Sequence, residues 1–142
     1  PGPQSCSAGT SLFDWDVEPW ADGDRSGSFT VDGVGVNLTV FDSATALDGT
    51  PFGPMPTRAA VYQGGLGSIE NALRFEADAT ALSADSVVVR IDFAAPVDGV
   101  RLALFDIDAN DNGNRLERLV VAGTNGGAPV VGSVDGGGAT SV

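Results

Sequence analysis

The sequence predicts an all-β fold, and three observations carry that prediction. Gly fills 20 of the 142 positions, and with abundant Val, Thr, Ala and Pro this composition favours many short strands joined by turns. Apolar and polar residues alternate over short runs, most cleanly in residues 86–93, where Val87, Val89, Ile91 and Phe93 make one row and Val88, Arg90 and Asp92 the other. Turn pairs such as Asp32-Gly33, Asp98-Gly99 and Asn112-Gly113 separate these runs. The length suits one domain with a real core. The expected architecture is an antiparallel β-sandwich, jelly-roll-like or Ig-like and incomplete at its C-terminal end, with residues 1–11 as a flexible or exchanged arm and residues 12–142 as the domain.

Residues 1–11 are rich in Pro, Ser and Gly and read as an arm or linker. Residues 12–18, Leu-Phe-Asp-Trp-Asp-Val-Glu, alternate as a short strand. After a polar connection at 20–27, residues 28–31 and 34–41 form a hairpin about Asp32-Gly33, with Val36, Leu38 and Val40 inward. Residues 43–67 contain Pro51, Pro54 and Pro56 and read as a long irregular excursion. A strand is expected at 72–77 and the most regular one at 86–93, with Val87, Val89, Ile91 and Phe93 facing the core. A turn at Pro96-Val-Asp-Gly99 leads into a strand at 100–108 that pairs with it, and residues 116–122 return as a further strand. Short β-prone pieces such as 129–134 lie between Gly clusters near the end.

Charge and missing residue types narrow the function. Nineteen acidic residues against seven Arg give a net charge of −12, which repels nucleic-acid backbones and anionic membranes and favours cations as partners. No apolar run approaches the ~20 residues of a spanning helix, so membrane insertion is not expected. With no His and no Lys, and with Cys6 in the arm, His-based triads, His-ligated zinc and Schiff-base chemistry are unavailable. Paired carboxylates are what remains, and clustered acids on turns are more often calcium ligands or solvated faces than a glycosidase pair. The chain is therefore read as non-enzymatic. Acidity, turn density and the loop described next together point to an extracellular or cell-surface location.

Residues 102–117 hold the densest chemistry. If Val100, Leu102 and Leu104 line a core, Asp106 and Asp108 continue the same row at the strand's end, where two carboxylates need a cation. Asp108-Ala-Asn110-Asp-Asn112-Gly113 fits the opening of a calcium loop, with oxygen ligands at every second position and Gly at the bend. Its closing slot holds Leu119; counting from Asp106 instead places Glu117 in that slot and Asp111 where Gly belongs. The same residues also make the tip of a plain β-hairpin with Asn-Gly turn chemistry, so both readings stand. Leu104-Phe-Asp-Ile-Asp108 is echoed by Leu12-Phe-Asp-Trp-Asp16, which adds Asp14 and Asp16 to the candidate calcium ligands, against a solvated strand face as the alternative.

The run from Val87 to Asp108, a strand ending in Pro-Val followed by one ending in Phe-Asp-Ile-Asp, resembles β-sandwich domains of large secreted bacterial surface proteins of the adhesin type. Cys6-Ser-Ala-Gly-Thr10, Phe13-Asp-Trp-Asp16 and Trp20 are similar to the start of such domains. The resemblance implies a structural or adhesive module of a surface or filament assembly, and one or two further strands after the Gly-rich stretch near Val142. The domain is therefore expected to be incomplete at its C-terminal end. The expectation is then that a second copy or another chain adds a strand to an open edge, giving a homo-oligomer or a mixed assembly. The alternative function is a carbohydrate-binding module, with Trp15, Trp20 and Tyr62 as the aromatic platform for a glycan.

Overall fold

The structure, a computed structural model, describes residues 9–42, 47, 54–60, 71–76, 86–104 and 120–132. Among these residues there are strands and turns and no helix, and every strand pair is antiparallel. The chain divides into two compact units, Pro1–Asp106 and Ile107–Val142. The first contains β1 (Ser26–Val31), β2 (Val34–Asp42), β3 (Thr57–Ala59), β4 (Ala72–Arg74) and β5 (Val87–Phe93). They form a three-stranded sheet in the order β1-β2-β5 and a separate β3-β4 pair. The second unit contains a hairpin of β6 (Gly123–Asn125) and β7 (Ala128–Val130).

The β1–β2 hairpin forms where the sequence places it. Its two-residue turn has Asp32 at φ 46° and Gly33 at φ 82°, the pair of positive angles that matches the right-handed twist of the strands; Gly reaches it without penalty and Asp tolerates it. The turn sets the register, with Val31 opposite Val34 and Phe29 opposite Val36. On its other side β2 pairs with β5, so that Val36, Leu38 and Val40 lie opposite Phe93, Ile91 and Val89. Opposed residues share a face. One face of the sheet is therefore apolar from Phe29 across to Ile91, while the other carries Ser28, Asn37, Thr39, Arg90 and Asp92.

That apolar face is the core of the unit. Phe29, Val36, Leu38 and Val40 are buried together with Trp20, Leu47 and Met55, and Leu73 of β4, Phe75, Val87 and Ile91 pack around them. The ends of the hairpin are tied by a small polar cluster. Asp42 Oδ2 lies 3.4 Å from Arg25 Nη2 and accepts the Leu47 N–H at 3.2 Å, while Arg25 also donates to the Leu47 carbonyl at 3.3 Å. This cluster holds Leu47 where its side chain reaches the core.

Several elements differ from the sequence-based expectation. Residues 14–18 are a turn and not a strand: the Val17 and Glu18 N–H groups donate to the Asp14 carbonyl at 3.2 and 3.1 Å, and Asp16 N–H donates to Asp14 Oδ1 at 2.8 Å. A short carboxylate that captures nearby backbone N–H groups competes with strand pairing, and here it wins. Residues 43–67 do contain a strand, β3. β5 pairs with β2; of the stretch 100–108 expected to pair with it, residues 100–104 lie outside any strand, with Val100, Leu102 and Leu104 about half exposed, and residues 105–108 lie outside the described residues. The nine-residue β2 offers β5 a full-length partner already fixed by its own hairpin. In the second unit residues 120–122 precede the strand, which falls at β6 because Gly126 and Gly127, at φ 57° and 85°, make the tight turn. Residues 105–119 and 133–142 lie outside the described residues, as does most of the arm.

Val89 follows the expected phase, since it lies opposite Val40 on the apolar face, but it is 40 % exposed because β5 is the outer strand of the sheet. A charge there can reach water, whereas Val40 is buried. Val40→Asp should abolish cooperative unfolding in a urea titration, through an unpaired buried charge. Val89→Asp should still fold, with a loss of about 1–2 kcal/mol.

Candidate functional site

The acidic residues 14–18 are built into the unit as a staple. Asp14 organises the turn through its own carboxylate. Asp16 Oδ1 accepts both the backbone N–H of Asn71, at 3.0 Å, and its side-chain Nδ2, at 2.8 Å, just ahead of β4. From β3, Arg58 Nη1 donates to the carbonyls of Trp15 at 3.1 Å and Glu18 at 2.8 Å. The turn is thus gripped by β3 and by the residue that precedes β4. The next segment is held the same way: Gly23 N–H and Trp20 Nε1 donate to the Pro56 carbonyl at 3.0 and 3.3 Å, and the Thr57 hydroxyl donates to the Asp22 carboxylate.

Between these ties sits an aromatic cluster. Phe13 meets Trp15 edge-on at 4.8 Å and Phe29 at 4.9 Å; Trp15 meets Trp20 at 5.9 Å, and Trp20 stacks on Phe29 at 6.4 Å. Edge-to-face and offset contacts of this kind add to the area each ring buries. The cluster exists because residue 27 has no side chain. A Cβ at Gly27 would lie 2.5 Å from Phe29 Cζ and 3.0 Å from Trp20 Cζ3, so the rings cross the strand over a bare backbone. Trp20 is 7 % exposed with its N–H bonded, and Trp15 is half-buried among the other rings. The third residue of the aromatic set, Tyr62, lies outside the described residues.

Of the calcium candidates, Asp14 and Asp16 have the partners given above, and Asp106, Asp108, Asn110, Asn112 and Glu117 lie outside the described residues. Among the described residues no group of three or more His, Cys, Asp and Glu side chains comes together to hold a metal. Nor is any helix there long and apolar enough to cross a membrane.

A feature that composition did not indicate is the outer edge of β5. The Ala94 N–H donates to the Gly35 carbonyl at 2.8 Å, and on the far side of β2 the Val40 N–H donates to the Arg25 carbonyl at 2.8 Å. In an antiparallel ladder the bonded pairs alternate. Val88, Arg90 and Asp92 therefore bond to β2, while the backbone N–H and C=O groups of Val87, Val89, Ile91 and Phe93 point away from it. Among the described residues no strand pairs with that edge. Apolar side chains flank it, with Val88, Val89 and Phe93 all exposed. Its charged residues are one Arg and one Asp, paired in the same strand with Arg90 Nε 2.8 Å from Asp92 Oδ2. The alternation of residues 86–93 was the available signal, but which strand is outermost depends on pairing.

No protein-family model, curated protein or solved structure matches this chain.

The staple and the cluster lead to two expected outcomes. Arg58→Ala, which removes both carbonyl bonds, should lower unfolding free energy by about 1–3 kcal/mol in denaturant titration. Gly27→Ala should cost about 1–3 kcal/mol by overpacking and shift tryptophan emission to longer wavelength as the rings are displaced.

Proposed function

We propose that this chain is a non-enzymatic structural module of an extracellular surface or filament assembly, joined to its neighbours through strand edges. The observation that carries this reading is the outer edge of β5: a regular, apolar strand whose outward backbone groups have no strand partner among the described residues. Soluble proteins guard such edges with Lys, Pro or a covering element, because an open ladder templates pairing. The sequence contains no Lys at all. The absence of His and Lys also removes His-based triads and Schiff-base chemistry. In this reading the three-stranded sheet and the β3–β4 pair belong to an antiparallel β-sandwich, for which the packing of Leu73 and Phe75 against the sheet's core residues is the support.

The carbohydrate-binding alternative rests on Trp15, Trp20 and Tyr62. The burial of Trp20 and its bond to Pro56 weigh against it, because a sugar platform needs an open ring face. Calcium belongs to the proposal through the spacing of Asp106, Asp108, Asn110, Asn112 and Glu117. A ligand that binds the folded state alone stabilises it by ~2.7 kcal/mol at 100 times its dissociation constant.

Two measurements test the reading. Millimolar calcium should raise the melting temperature over that in chelator for the wild type and not for Asp108→Ala; equal values for the wild type would remove calcium from it. On a glycan array the wild type should bind nothing, and binding that is lost in Trp15→Ala would overturn the structural reading in favour of the carbohydrate one.

A further inference from the structure

We infer that the outer edge of β5 pairs with the same edge of a second copy of this chain, in one antiparallel register centred on Ile91. This rests on the strand-edge reading above and names its partner. The phase of the ladder limits the choices. Only Val87, Val89, Ile91 and Phe93 present N–H and C=O groups outward, so a second β5 can dock only with these residues opposite one another.

Four such registers, centred on positions 89 to 92, bring the two strands together near their middles, and charge decides among them. Centring the pair on Val89 sets Arg90 against Val88 and leaves both charges without an opposite partner across the seam. Centring the pair on position 90 sets Arg90 against Arg90 of the second copy. Centring it on position 92 sets Asp92 against Asp92. Centring it on Ile91 sets Arg90 against Asp92 twice, once on each side of the two-fold axis. Cross-strand neighbours that are not hydrogen-bonded approach more closely than bonded ones, so opposite charges gain and like charges lose most at these positions. Each Arg90 already holds its own Asp92 on the exposed face. The two strands therefore join four charges into an alternating ring.

The same register completes the apolar face. Val89 falls opposite Phe93, covering two side chains that are exposed at the edge of the isolated sheet, and the half-buried Ile91 falls opposite Ile91. A two-fold axis normal to the sheet keeps both apolar faces on one side and extends the order to β1-β2-β5-β5-β2-β1, with roughly six new ladder hydrogen bonds. The net charge of −12 opposes close approach of two copies, but β5 itself carries one Arg and one Asp and meets its copy without local excess charge.

Sedimentation of the full chain tests this. The wild type should form a dimer. Arg90→Asp and Asp92→Arg, each on the exposed face, should each weaken it on the order of tenfold to a hundredfold, because each sets like charges across both pairs. An equimolar mixture of the two variants should recover dimer, since the opposite charges then meet again. Hydrogen exchange gives a second readout: dilution should deprotect the amides of Val89, Ile91 and Phe93, while those of Val88, Arg90 and Asp92 stay protected by β2. A dimer indifferent to both reversals would overturn this pairing and leave joining through another edge to stand. A monomer whose outward amides are protected would assign the edge to residues of its own chain, such as 100–104, and would overturn it. A monomer with open amides would overturn it as well, and the glycan array then judges the structural reading separately.

Discussion

The first unit depends on the two-sided pairing of β2. Its backbone groups alternate between β1 and β5, so its side chains are fixed in phase with both neighbours, and Val36, Leu38 and Val40 form the middle row of the apolar face. A one-residue slip on either side would turn a whole strand's apolar residues to water. The Asp32-Gly33 turn prevents that slip on the β1 side by imposing a two-residue connection. The other core contributions, from Trp20, Leu47, Met55 and Leu73, are brought to this row by loops and by the short β3–β4 pair.

Polar side chains do the holding in those loops. Arg58 and Asp16 clamp the 14–18 turn onto β3 and the residue before β4, Asp42 and Arg25 hold Leu47, and the Pro56 carbonyl gathers two donors. In a domain with short strands and little continuous ladder, such side-chain to backbone bonds satisfy the groups that regular structure leaves over. An acidic residue in this chain is accordingly not a ligand by default. Asp14 and Asp16, which spacing alone pairs with a metal, each have a backbone N–H to receive.

The functional reading turns on an asymmetry between the two faces and edges of one sheet. Its apolar face is covered near β1 and β2 by the aromatic rings, and less so at β5, where Val89 and Phe93 remain accessible. An open ladder beside exposed apolar side chains is a surface that water satisfies poorly. Self-complementary charge at Arg90 and Asp92 turns that general tendency into a preference for one register, because the registers on either side bring like charges together.

Local chemistry was legible in the sequence. The hairpin at Asp32-Gly33, the strand at 87–93, the inward row of Val36, Leu38 and Val40 and the first half of the strand expected at 72–77 follow from turn residues and period-two alternation, signals that reside in a few consecutive positions. What only the tertiary structure decided was the choice among competing partners. Residues 12–18 alternate as a strand yet fold as a turn, because the Asp14 carboxylate and the clamp from Arg58 and Asn71 outweigh pairing. β5 pairs with β2, while the described residues 100–104 that follow it form no strand, and Gly27, one of 20 glycines, became the position over which two aromatic rings cross. Alternation states that a strand has two faces; which residues lie against them, and which strand is left at the edge, depends on contacts between positions far apart in the chain.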